Sequence, residues 1–560
     1  MSRITILPVP LRNKIAAGEV IERPASVVKE LIENALDAGA TDVRADILHG
    51  GKRLMKVSDN GIGMDRNDAL LCVERHATSK LVNEDDLFSI RTLGFRGEAL
   101  ASVASVSRMK IVTAPRGNPI GTLLVLEGGE VREIKDAPAI GTTVEVRDLF
   151  FNTPARKKFL KSTGTELFHI IDTVTKASLP FWDIGFRLST DHKETFCAPI
   201  ASSQEERVIQ IYGDDFMRGL TRVDAEESGM RCTAFVSRST NFRATKCHQY
   251  VFLNRRPVKD QSLAHAVYKA YEGVLPAGRH PMFFLFLEVD PATVDVNVHP
   301  TKREVRFRDK EVVYAFVHSA IRASVKGERS EFARQFTTML PQNASLEDAA
   351  QPAGPALSLR GEEKIVAEAM QIPYRHIPPH IYIGDTFVAL AGRDGLTLID
   401  HHAAHERILY EKFLKGAILP AHQLLFPKQV ALSPGEHAVI RAHADTLAEF
   451  GIEVEDFGQN TLIVRSLPDV LHNADIRGIL SDIASILAEG GSPGKPHKES
   501  LAARIACHSS IRGKAHLNEE ELTALLDDLE RTERPDQCPH GRPTRIFFTL
   551  DDLRKMFKRK

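Results

Sequence analysis

Three polar residues on one predicted helix could hold a hydrated cation and orient a water molecule. The segment 27–40, VVKELIENALDAGA, has the apolar period of a helix, and Glu30, Asn34 and Asp37 fall at i, i+4 and i+7 on one face. Mg²⁺ takes oxygen ligands and keeps several waters, which suits two carboxylates and an amide. Without further motifs, the same pattern is that of a solvated helix face.

A glycine-containing turn downstream could bind a flat ring. In 58–64, SDNGIGM, Asp59 could accept a hydrogen bond from an exocyclic amine, and Gly61 and Gly63 would let the backbone approach the ring closely. Ordinary turns use the same residue types, so this motif alone is weak.

A second glycine run has the composition of a phosphate site. In 94–100, GFRGEAL, the glycines leave backbone N–H groups accessible, Arg96 supplies positive charge, and a helix is predicted to begin at Glu98. The run 141–143, GTT, precedes a predicted strand. No G-x-x-x-x-G-K-[ST] run occurs, so the P-loop solution is excluded.

Metal-ligand residue types recur near the end of the chain. Asp400 begins a predicted helix on which His402 and Glu406 are i, i+4 neighbours, a spacing that makes half of a metal site or simply a surface helix. The other half could come from Cys507 in 506–508, ACH, and from Cys538 and His540 in 538–543, CPHGRP. We expect Cys538 and His540 to alternate on extended backbone. Thiolate and imidazole together favour Zn²⁺.

Composition and patterning place these motifs in an α+β multidomain chain. The predicted units are 1–224 and 225–330, which mix strands and helices, a Pro-, Ala- and Gln-rich flexible linker at 331–376, and a mixed region at 377–560. Two strands around a glycine turn are expected in 381–400, and helix formation is expected to begin near Glu311. Strands are also predicted for QYVFLN, MFFLFLEVD and VDVNV.

The overall charge and the distribution of the cysteines limit which functions and locations are expected. The 560 residues carry 73 Lys and Arg against 74 Asp and Glu, which argues against a surface that is positive throughout. Local basic segments remain possible, so we expect modest, salt-sensitive DNA binding that partners assist. The start lacks an apolar signal segment, no membrane-spanning run occurs, and six scattered cysteines do not form a disulfide framework, so a cytoplasmic location is expected.

The order of the first four motifs resembles the GHKL ATPases, and within them the MutL family of DNA mismatch repair proteins. The runs LIENALDAGA, RHATSK, LGFRGEALASVASVSR and LFFNTPARKKFL match that family's signatures. The resemblance implies a GHKL (Bergerat) α/β sandwich in which Glu30 is the general base, Asn34 holds Mg²⁺, Asp59 binds adenine, and RHATSK and GFRGEAL form a lid. The full set of implied ATP and Mg²⁺ contacts is Asn34, Asp37, Asp59, Gly61, Gly63, Thr78, Ser79, Lys80, Gly94, Phe95, Arg96, Gly97, Glu98, Ala99, Leu100, Thr142 and Thr143.

The second unit resembles the family's ribosomal-S5-like transducer domain. By that resemblance Lys302, in DVNVHPTKRE, reaches the γ-phosphate; without it, Lys302 is a surface lysine in a loop. Arg255 and Arg256 in FLNRRP match a segment in which the arginine is implicated in DNA contact, with Arg255 standing where glycine is usual. A solvated strand edge is the alternative.

The last unit resembles the family's endonuclease-type C-terminal dimerisation domain. The motif DHHAAHERILYE departs from it at His401, where Gln is usual, and ACH departs at His508, where Arg is usual. The implied metal set is Asp400, His402, Glu406, Cys507, Cys538 and His540, with Zn²⁺ or Mn²⁺, and His508 could join it. Two cations would activate water and stabilise the leaving oxygen of a phosphodiester.

A short apolar peptide follows this helix. Its residues resemble the family's sliding-clamp motif, and a buried strand is the alternative: Gln423, Leu424, Leu425, Phe426 and Pro427.

These resemblances imply a homodimeric ATPase that couples a MutS-type mismatch sensor to nicking of the new strand near the clamp. The alternative is an ATP-switched matchmaker without nuclease activity, in which Zn²⁺ only holds the C-terminal fold. A topoisomerase or chaperone with the same ATPase is disfavoured, because neither accounts for the C-terminal motifs.

Overall fold

The computed structural model describes most of the chain outside its first residues and the predicted linker. The described ranges are 21–80, 92–238, 241–243, 245–275, 278–295, 305–339, 380–384, 386–415, 421–458, 460–471, 474–489, 495–509 and 517–558. They divide into two compact units, one made of Met1–Lys326 with Lys412–Ser509 and the other of Gly327–Glu411 with Ser510–Lys560. In these ranges no helix is long and apolar enough to cross a membrane.

The amino-terminal part of the first unit is built on an eight-stranded mixed sheet. Its elements are α1 Pro24–Asp37, β1 Asp42–Leu48, β2 Leu54–Asp59, α2 Arg66–Leu71, α3 Ala99–Ser105, β3 Arg108–Ala114, β4 Ile120–Glu127, β5 Glu130–Pro138, β6 Gly141–Arg147, α4 Pro154–Phe159, α5 Thr163–Ser178, β7 Gly185–Thr190 and β8 Lys193–Ala198. The strand order is β5-β4-β3-β6-β2-β1-β7-β8, and β1 and β7 are its parallel pair. The GHKL sandwich inferred from the motifs is thereby confirmed.

Helix α1 covers most of the predicted segment 27–40, but it begins and ends three residues earlier, at Pro24 and Asp37. It begins at Pro24, where the missing backbone N–H of proline costs no hydrogen bond. Val28, Leu31 and Ile32 are buried in the core, and the helix packs against α5 and β2. Apolar burial of this kind contributes roughly 1.5–3 kcal/mol per large side chain. The opposite, half-buried face carries the polar residues of the predicted cation site.

The transducer part of the first unit is a five-stranded sheet with covering helices. Its elements are α6 Gln204–Tyr212, α7 Asp214–Arg218, β9 Leu220–Glu227, β10 Met230–Ser237, β11 Gln249–Leu253, β12 Arg256–Val258, α8 Gln261–Ala270, β13 Phe283–Glu288, the 3-10 turn Pro291–Thr293, β14 Val294–Asp295, β15 Arg306–Phe307 and α9 Lys310–Met339. The sheet order is β12-β11-β13-β10-β9.

Most transducer elements agree with the sequence patterns. Strands β11 and β13 confirm QYVFLN and MFFLFLEVD, whereas only the first two residues of VDVNV lie in the described chain, as β14. Helix α9 begins at Lys310, as expected, but continues to Met339, past the predicted start of the linker at residue 331. The remainder of the predicted linker, to residue 376, lies outside the described residues.

The C-terminal region contributes to both compact units. Its elements are β16 His380–Ile383, β17 Phe387–Ala391, β18 Gly395–Asp400, α10 His401–Leu414, β19 Ala421–Ala431, α11 Pro434–Ala442, α12 Ala444–Ala448, β20 Glu453–Gly458, β21 Thr461–Pro468, the 3-10 turn Asp469–Leu471, α13 Ile476–Glu489, α14 Lys495–Ser509, α15 Glu519–Glu530, β22 Arg545–Thr549 and α16 Leu550–Met556.

Two antiparallel sheets organise these elements. The order β16-β17-β18-β22 lies in the second unit and β19-β21-β20 in the first. The two strands expected in 381–400 are in fact three, because the second glycine turn, at Gly392–Gly395, returns the chain once more.

Buried polar pairs join the C-terminal helices of the first unit to its transducer sheet. His248 Nε2 lies 3.3 Å from Glu436 Oε1, and both side chains are about nine-tenths buried. Burial opposes the charge of Glu436, but His248 and two serine hydroxyls hold its pKa well below the ordinary value. Asp482 accepts hydrogen bonds from Thr245 at 2.6 Å and His508 at 2.9 Å. His508, which the sequence suggested as a possible metal ligand, thus forms a hydrogen bond with the buried carboxylate of Asp482.

Candidate ATP site and metal centre

A half-buried lysine pairs with the predicted general base on α1. Lys29 Nζ lies 2.9 Å from Glu30 Oε1 and 3.0 Å from Glu33 Oε1. Burial alone would lower the pKa of Lys29, but the two carboxylates raise it above its ordinary value. The i, i+4 spacing of Lys29 and Glu33 is the sequence signal for this contact, although helix surfaces commonly show such spacing.

The other two polar residues of α1, Asn34 and Asp37, both contact the ammonium group of Lys80. Asp37 Oδ1 accepts a hydrogen bond from Leu93 N at 2.7 Å, and its Oδ2 accepts from Gly94 N at 2.8 Å and from Lys80 Nζ at 2.6 Å. Lys80 Nζ also donates to Asn34 Oδ1 at 2.8 Å. Because these oxygens already converge on an ammonium group, their arrangement fits a magnesium ion with its waters.

The turn after β2 is shaped by its glycines. Asp59 Oδ1 accepts a hydrogen bond from Gly61 N at 2.8 Å, and burial raises the pKa of Asp59 despite this donor and the backbone N–H of Thr142. Gly63 has φ +68°, and a Cβ there would lie 1.8 Å from the carbonyl oxygen of Ala114. Only glycine fits this position, where the turn lies directly against the end of β3.

The two predicted threonines, Thr142 and Thr143, lie on β6, the strand that pairs with β2 next to Asp59. Thr142 is the register partner of Asp59, and Thr143 is that of Ser58. Thr142 Oγ1 lies 2.9 Å from Thr113 Oγ1, while Thr143 Oγ1 donates to Ser58 Oγ at 3.0 Å. The structure therefore brings these residues to the same end of the sheet as the turn.

The two predicted lid segments run beside each other. His76 N donates to Gly97 O at 3.2 Å, and a Cβ on Gly97, whose φ is +62°, would lie 2.3 Å from Ala77 O. Arg96 lies over the ring of Phe95, and α3 begins directly after Glu98, as predicted. The remaining predicted lid residues occupy the same two segments: Thr78, Ser79, Ala99 and Leu100.

The two predicted DNA-contacting arginines have different environments. Arg255 is exposed, pairs with Asp183 at 3.2 Å and lies over a phenylalanine ring. Arg256 is buried and donates to Thr92 O at 2.7 Å. Burial lowers the pKa of Arg256, although the carboxylates of Glu33, Asp37 and Glu30 oppose that change. Of the pair, Arg255 is the one whose guanidinium is open to a phosphate. Lys302 lies outside the described residues.

Three of the predicted metal ligands meet in the second unit. One ligand atom each from Glu406, Cys538 and His540 lies within 4.8 Å of the others. His402 Nε2 lies 3.5 Å from Glu406 Oε1, and His540 Nδ1 lies 3.6 Å from Glu406 Oε2. Asp400 caps helix α10, its Oδ1 accepting a hydrogen bond from Ala403 N at 2.9 Å. A thiol, two imidazoles and a carboxylate form a donor set that fits Zn²⁺.

The electrostatics of this cluster stabilise its ionised forms. Burial opposes the charge of Glu406, but His402 and His540 lower its pKa well below the ordinary value. Burial likewise opposes ionisation of Cys538, yet hydrogen bonds from His540 and the Arg542 backbone lower its pKa. Hydrogen bonds to Cys538 and Glu406 raise the pKa of His540 to about 9.

The prediction that Cys538 and His540 alternate on extended backbone is wrong. Both lie in a tight turn in which Cys538 N donates to Arg542 O at 2.8 Å and Gly541 N donates to Cys538 O at 3.0 Å. Gly541 has φ +81°, which permits this reversal. It is this turn, and not an extended strand, that places the thiol and the imidazole near each other.

His401 and Cys507 are the two remaining residues of the predicted metal motifs. His401 is buried, and its ring meets that of Tyr382 edge to face at 6.5 Å. Cys507 lies on α14, in the first compact unit, and its place in the metal set stays a prediction.

The clamp-like peptide lies in β19, where the strand is irregular. The ladder with β21 is interrupted between Gln423 and Lys428. Gln423 and Pro427 are exposed, Leu424 is half-buried, and Phe426 is 80% exposed. The side chain of Leu425 lies outside the described residues. A fully buried strand, the alternative interpretation, does not describe this segment.

Comparison with known proteins gives three family matches in the expected order. Residues 21–133 match the histidine kinase-, DNA gyrase B- and HSP90-like ATPase model, 208–326 match the DNA mismatch repair protein C-terminal domain, and 381–517 match the MutL C-terminal dimerisation domain.

Full-length relatives and a solved structure agree with these matches. The chain is 41% identical to the DNA mismatch repair protein MutL of Thermodesulfovibrio yellowstonii over 100% of both chains. It is 40% identical to that of Geobacter sulfurreducens, over 100% of this chain and 99% of the relative. A crystal structure of the N-terminal domain of a DNA repair protein is similar at TM-score 0.50 and 25% identity, covering 57% of this chain and 99% of that one. The chain therefore belongs to the MutL family of DNA mismatch repair ATPases.

Proposed function

We propose that this MutL-family ATPase acts as a homodimer that couples a MutS-type mismatch sensor to nicking of the new DNA strand by its own C-terminal metal centre. The observation that carries the nuclease assignment is the convergence of Glu406, Cys538 and His540, with His402 beside them. These side chains come from helix α10 and from the turn at Cys538, so two separate segments bring ligand-type groups to one place.

In the ATP site, α1 supplies the groups that act on water and cation. Glu30 is the proposed general base, and Lys29 orients its carboxylate through the 2.9 Å ion pair. Asn34 and Asp37 would hold Mg²⁺, which neutralises phosphate charge when bound. Asp59 would accept the hydrogen bond of the adenine amine, and Lys302 would reach the γ-phosphate.

In the metal centre, the protein's own contribution is a preformed ligand set. His402, Glu406, Cys538 and His540 would hold the ions, and Asp400 is proposed to take part from the start of α10. Bound Zn²⁺ or Mn²⁺ supplies Lewis acidity for phosphodiester hydrolysis. The lowered pKa of Glu406 keeps this ligand anionic at neutral pH.

An exposed apolar sheet face supports dimerisation of the C-terminal region. Ile381, Ile383, Phe387 and Ile546 are 65%, 49%, 40% and 46% exposed. The strand register places them on one face of β16-β17-β18-β22. Such a face costs free energy in water, and a second copy of the chain would bury it.

Exposed residues support two further proposed partners, a sliding clamp and double-stranded DNA. The exposed Phe426 and Gln423 suit docking in an apolar groove of a sliding clamp. Arg255, which is exposed, is the proposed contact to double-stranded DNA. The family resemblance also implies Arg256, but its guanidinium is buried and donates to Thr92 O beside the ATP site. A cytoplasmic location remains our expectation.

Nicking of supercoiled plasmid with Mn²⁺ tests the nuclease assignment. We expect wild type to produce open circles, and Asp400→Asn and Glu406→Gln to lose at least ~100-fold of that activity while retaining ATP turnover. Glu520→Gln, an exposed glutamate in the same unit, is the matched control. If wild type leaves the plasmid supercoiled, the nuclease-inactive matchmaker with a structural zinc is the correct function.

Metal analysis tests the ligand set separately. Cys538→Ser and His540→Ala should each lose bound zinc, whereas Cys197→Ser, at an exposed cysteine, should retain it. Zinc retained by both ligand variants would overturn the assignment of the site.

A further inference from the structure

A buried arginine on α10 ties this helix to the loop 533–544, which carries the other half of the proposed metal centre. Arg407 directly follows the ligand Glu406, and Gln537 directly precedes the ligand Cys538. The Nε–H of Arg407 donates to Gln537 O at 2.5 Å, across 130 positions of the chain. One hydrogen bond therefore joins the neighbours of two ligands that come from separate segments.

A buried glutamate one turn further along α10 holds the start of the same loop. Both carboxylate oxygens of Glu411 accept from Glu533 N at 2.9 Å, and Oε1 also accepts from Arg534 N at 3.4 Å. Arg407 Nη1 lies 3.8 Å from Glu411 Oε1, so the guanidinium and the carboxylate balance each other's charge. Their side chains are 8% and 9% exposed, and either charge would be costly there without the other.

The far end of the loop is held by backbone contacts. Asp400 N, where β18 meets α10, donates to Thr544 O at 2.9 Å, and Thr544 N donates to Asp536 O at 3.1 Å. Between these contacts, Cys538 N donates to Arg542 O at 2.8 Å and closes the turn itself. Side chains of α10 thus hold the amino end of the loop, and the end of β18 holds its carboxyl end.

The spacing of the ligands makes the placement of this loop important for a metal. One ligand atom each from Glu406, Cys538 and His540 lies within 4.8 Å of the others. Zinc bonds to nitrogen, oxygen and sulfur are about 2.0–2.3 Å long, so a loop displaced by more than a few tenths of an ångström could not keep them all. The contacts of Arg407 and Glu411 fix the loop without using any of these ligand atoms.

We propose that Arg407, supported by Glu411, is a positioning residue that sets the distance between the two halves of the metal centre. The tie is made by the protein's own groups, so it should survive removal of the metal. This inference rests on the proposed metal centre, because Arg407 has no metal to serve if that centre binds none.

Zinc affinity and the cobalt spectrum of the full-length chain test the role of Arg407. Arg407→Met keeps a long side chain but cannot donate to Gln537 O, so zinc measured against a chromophoric chelator should bind about tenfold more weakly. In the cobalt(II)-loaded protein, the thiolate-to-metal absorption of Cys538 should lose about half of its intensity or more. A wild-type value in either measurement would overturn the proposal.

Glu521→Gln is the matched control, because Glu521 also accepts a backbone N–H in the same unit but away from the loop 533–544. Its Oε2 accepts from Asn518 N at 2.9 Å in the capping box of α15. Zinc affinity of this variant should stay within about twofold of wild type. If wild type binds neither zinc nor cobalt, the metal centre itself is refuted. If wild type and Arg407→Met bind equally well, the role of Arg407 is refuted and the centre stands.

Hydrogen exchange on the wild-type chain keeps the test independent of whether Arg407→Met folds. The amides of Glu533 and Arg534 should stay protected after a chelator removes the metal, because the Glu411 carboxylate holds them. In Arg407→Met, the peptide 531–541 should exchange severalfold faster while α15 keeps its protection. Loss of protection at Glu533 and Arg534 in chelated wild type would show that the metal positions the loop, and would overturn the proposal.

Discussion

Replacement of Arg256 by methionine should damage the ATP site even when no DNA is present. Arg256 donates to Thr92 O at 2.7 Å. The two residues after Thr92, Leu93 and Gly94, donate their N–H groups to the Asp37 carboxylate. Arg256 therefore supports the loop that positions Asp37. Methionine fills a similar volume but cannot donate a hydrogen bond or balance the charges of nearby carboxylates.

The magnitude follows from burial and hydrogen bonding. A hydrogen bond to a charged donor contributes about 1.5–3 kcal/mol, and unbalanced buried carboxylates add to the cost of losing it. Removal of the arginine also removes its own desolvation penalty, so we expect a net loss of about 2–3 kcal/mol in the free energy of unfolding. DNA-free kcat/KM for ATP should fall at least ~10-fold, because Asp37 loses its fixed position.

Arg255→Met is the matched control, one residue away. Its side chain is 44% exposed and pairs with an exposed aspartate, so its loss should cost less than about 1 kcal/mol. Urea unfolding can be followed through the fluorescence of the single tryptophan, Trp182, which lies in the same unit. If Arg256→Met is as stable as wild type, keeps its ATP turnover and loses only DNA binding, the buried position of Arg256 is refuted.

Three further predictions concern other parts of the chain. Gly63→Ala should abolish binding of a fluorescent nucleotide, because the added methyl would lie 1.8 Å from Ala114 O; binding within twofold of wild type would contradict the assignment of the turn after β2 to adenine binding. Because the pKa of Glu436 is lowered in the folded chain, its stabilising contribution is fully present above the ordinary carboxyl pKa of about 4.3 and is lost as the pH falls below it. Glu436→Gln should therefore lower stability at pH 7 and flatten its acid dependence, as measured by urea unfolding at several pH values; an unchanged pH profile would contradict this. Ile546→Asp should convert the dimer to monomer in analytical ultracentrifugation, since it places a charge on the exposed apolar sheet face, and a persistent dimer would exclude that face as the interface.

Local patterns predicted the elements that carry the ATP site because each depends on near neighbours. The period of α1 placed Glu30, Asn34 and Asp37 on one face, and the glycines at 61 and 63 indicated a close backbone approach that the structure contains. The start of α10 after β18 was predicted for the same reason. Such features follow from spacing along one segment.

Contacts between distant segments could not be predicted in this way. Lys80 reaches Asp37 across 43 positions, and Arg256 reaches Thr92 across 164. The positive charge of these residues suggested contact with phosphate or DNA. In the structure Lys80 instead pairs with Asp37, and Arg256 lies near the carboxylates of α1. The turn at Cys538 was mispredicted because the left-handed conformation of Gly541 depends on its hydrogen bonds, which the residue types alone do not specify.

We propose that one chain combines a GHKL ATPase with a separate metal-dependent nuclease. The rate of plasmid nicking with Mn²⁺, compared among wild type, Glu30→Ala and Glu406→Gln, tests it most directly. We predict that Glu30→Ala retains basal nicking without ATP turnover, and that Glu406→Gln loses nicking while its ATP turnover is unchanged. Equal nicking by wild type and Glu406→Gln would contradict the claim.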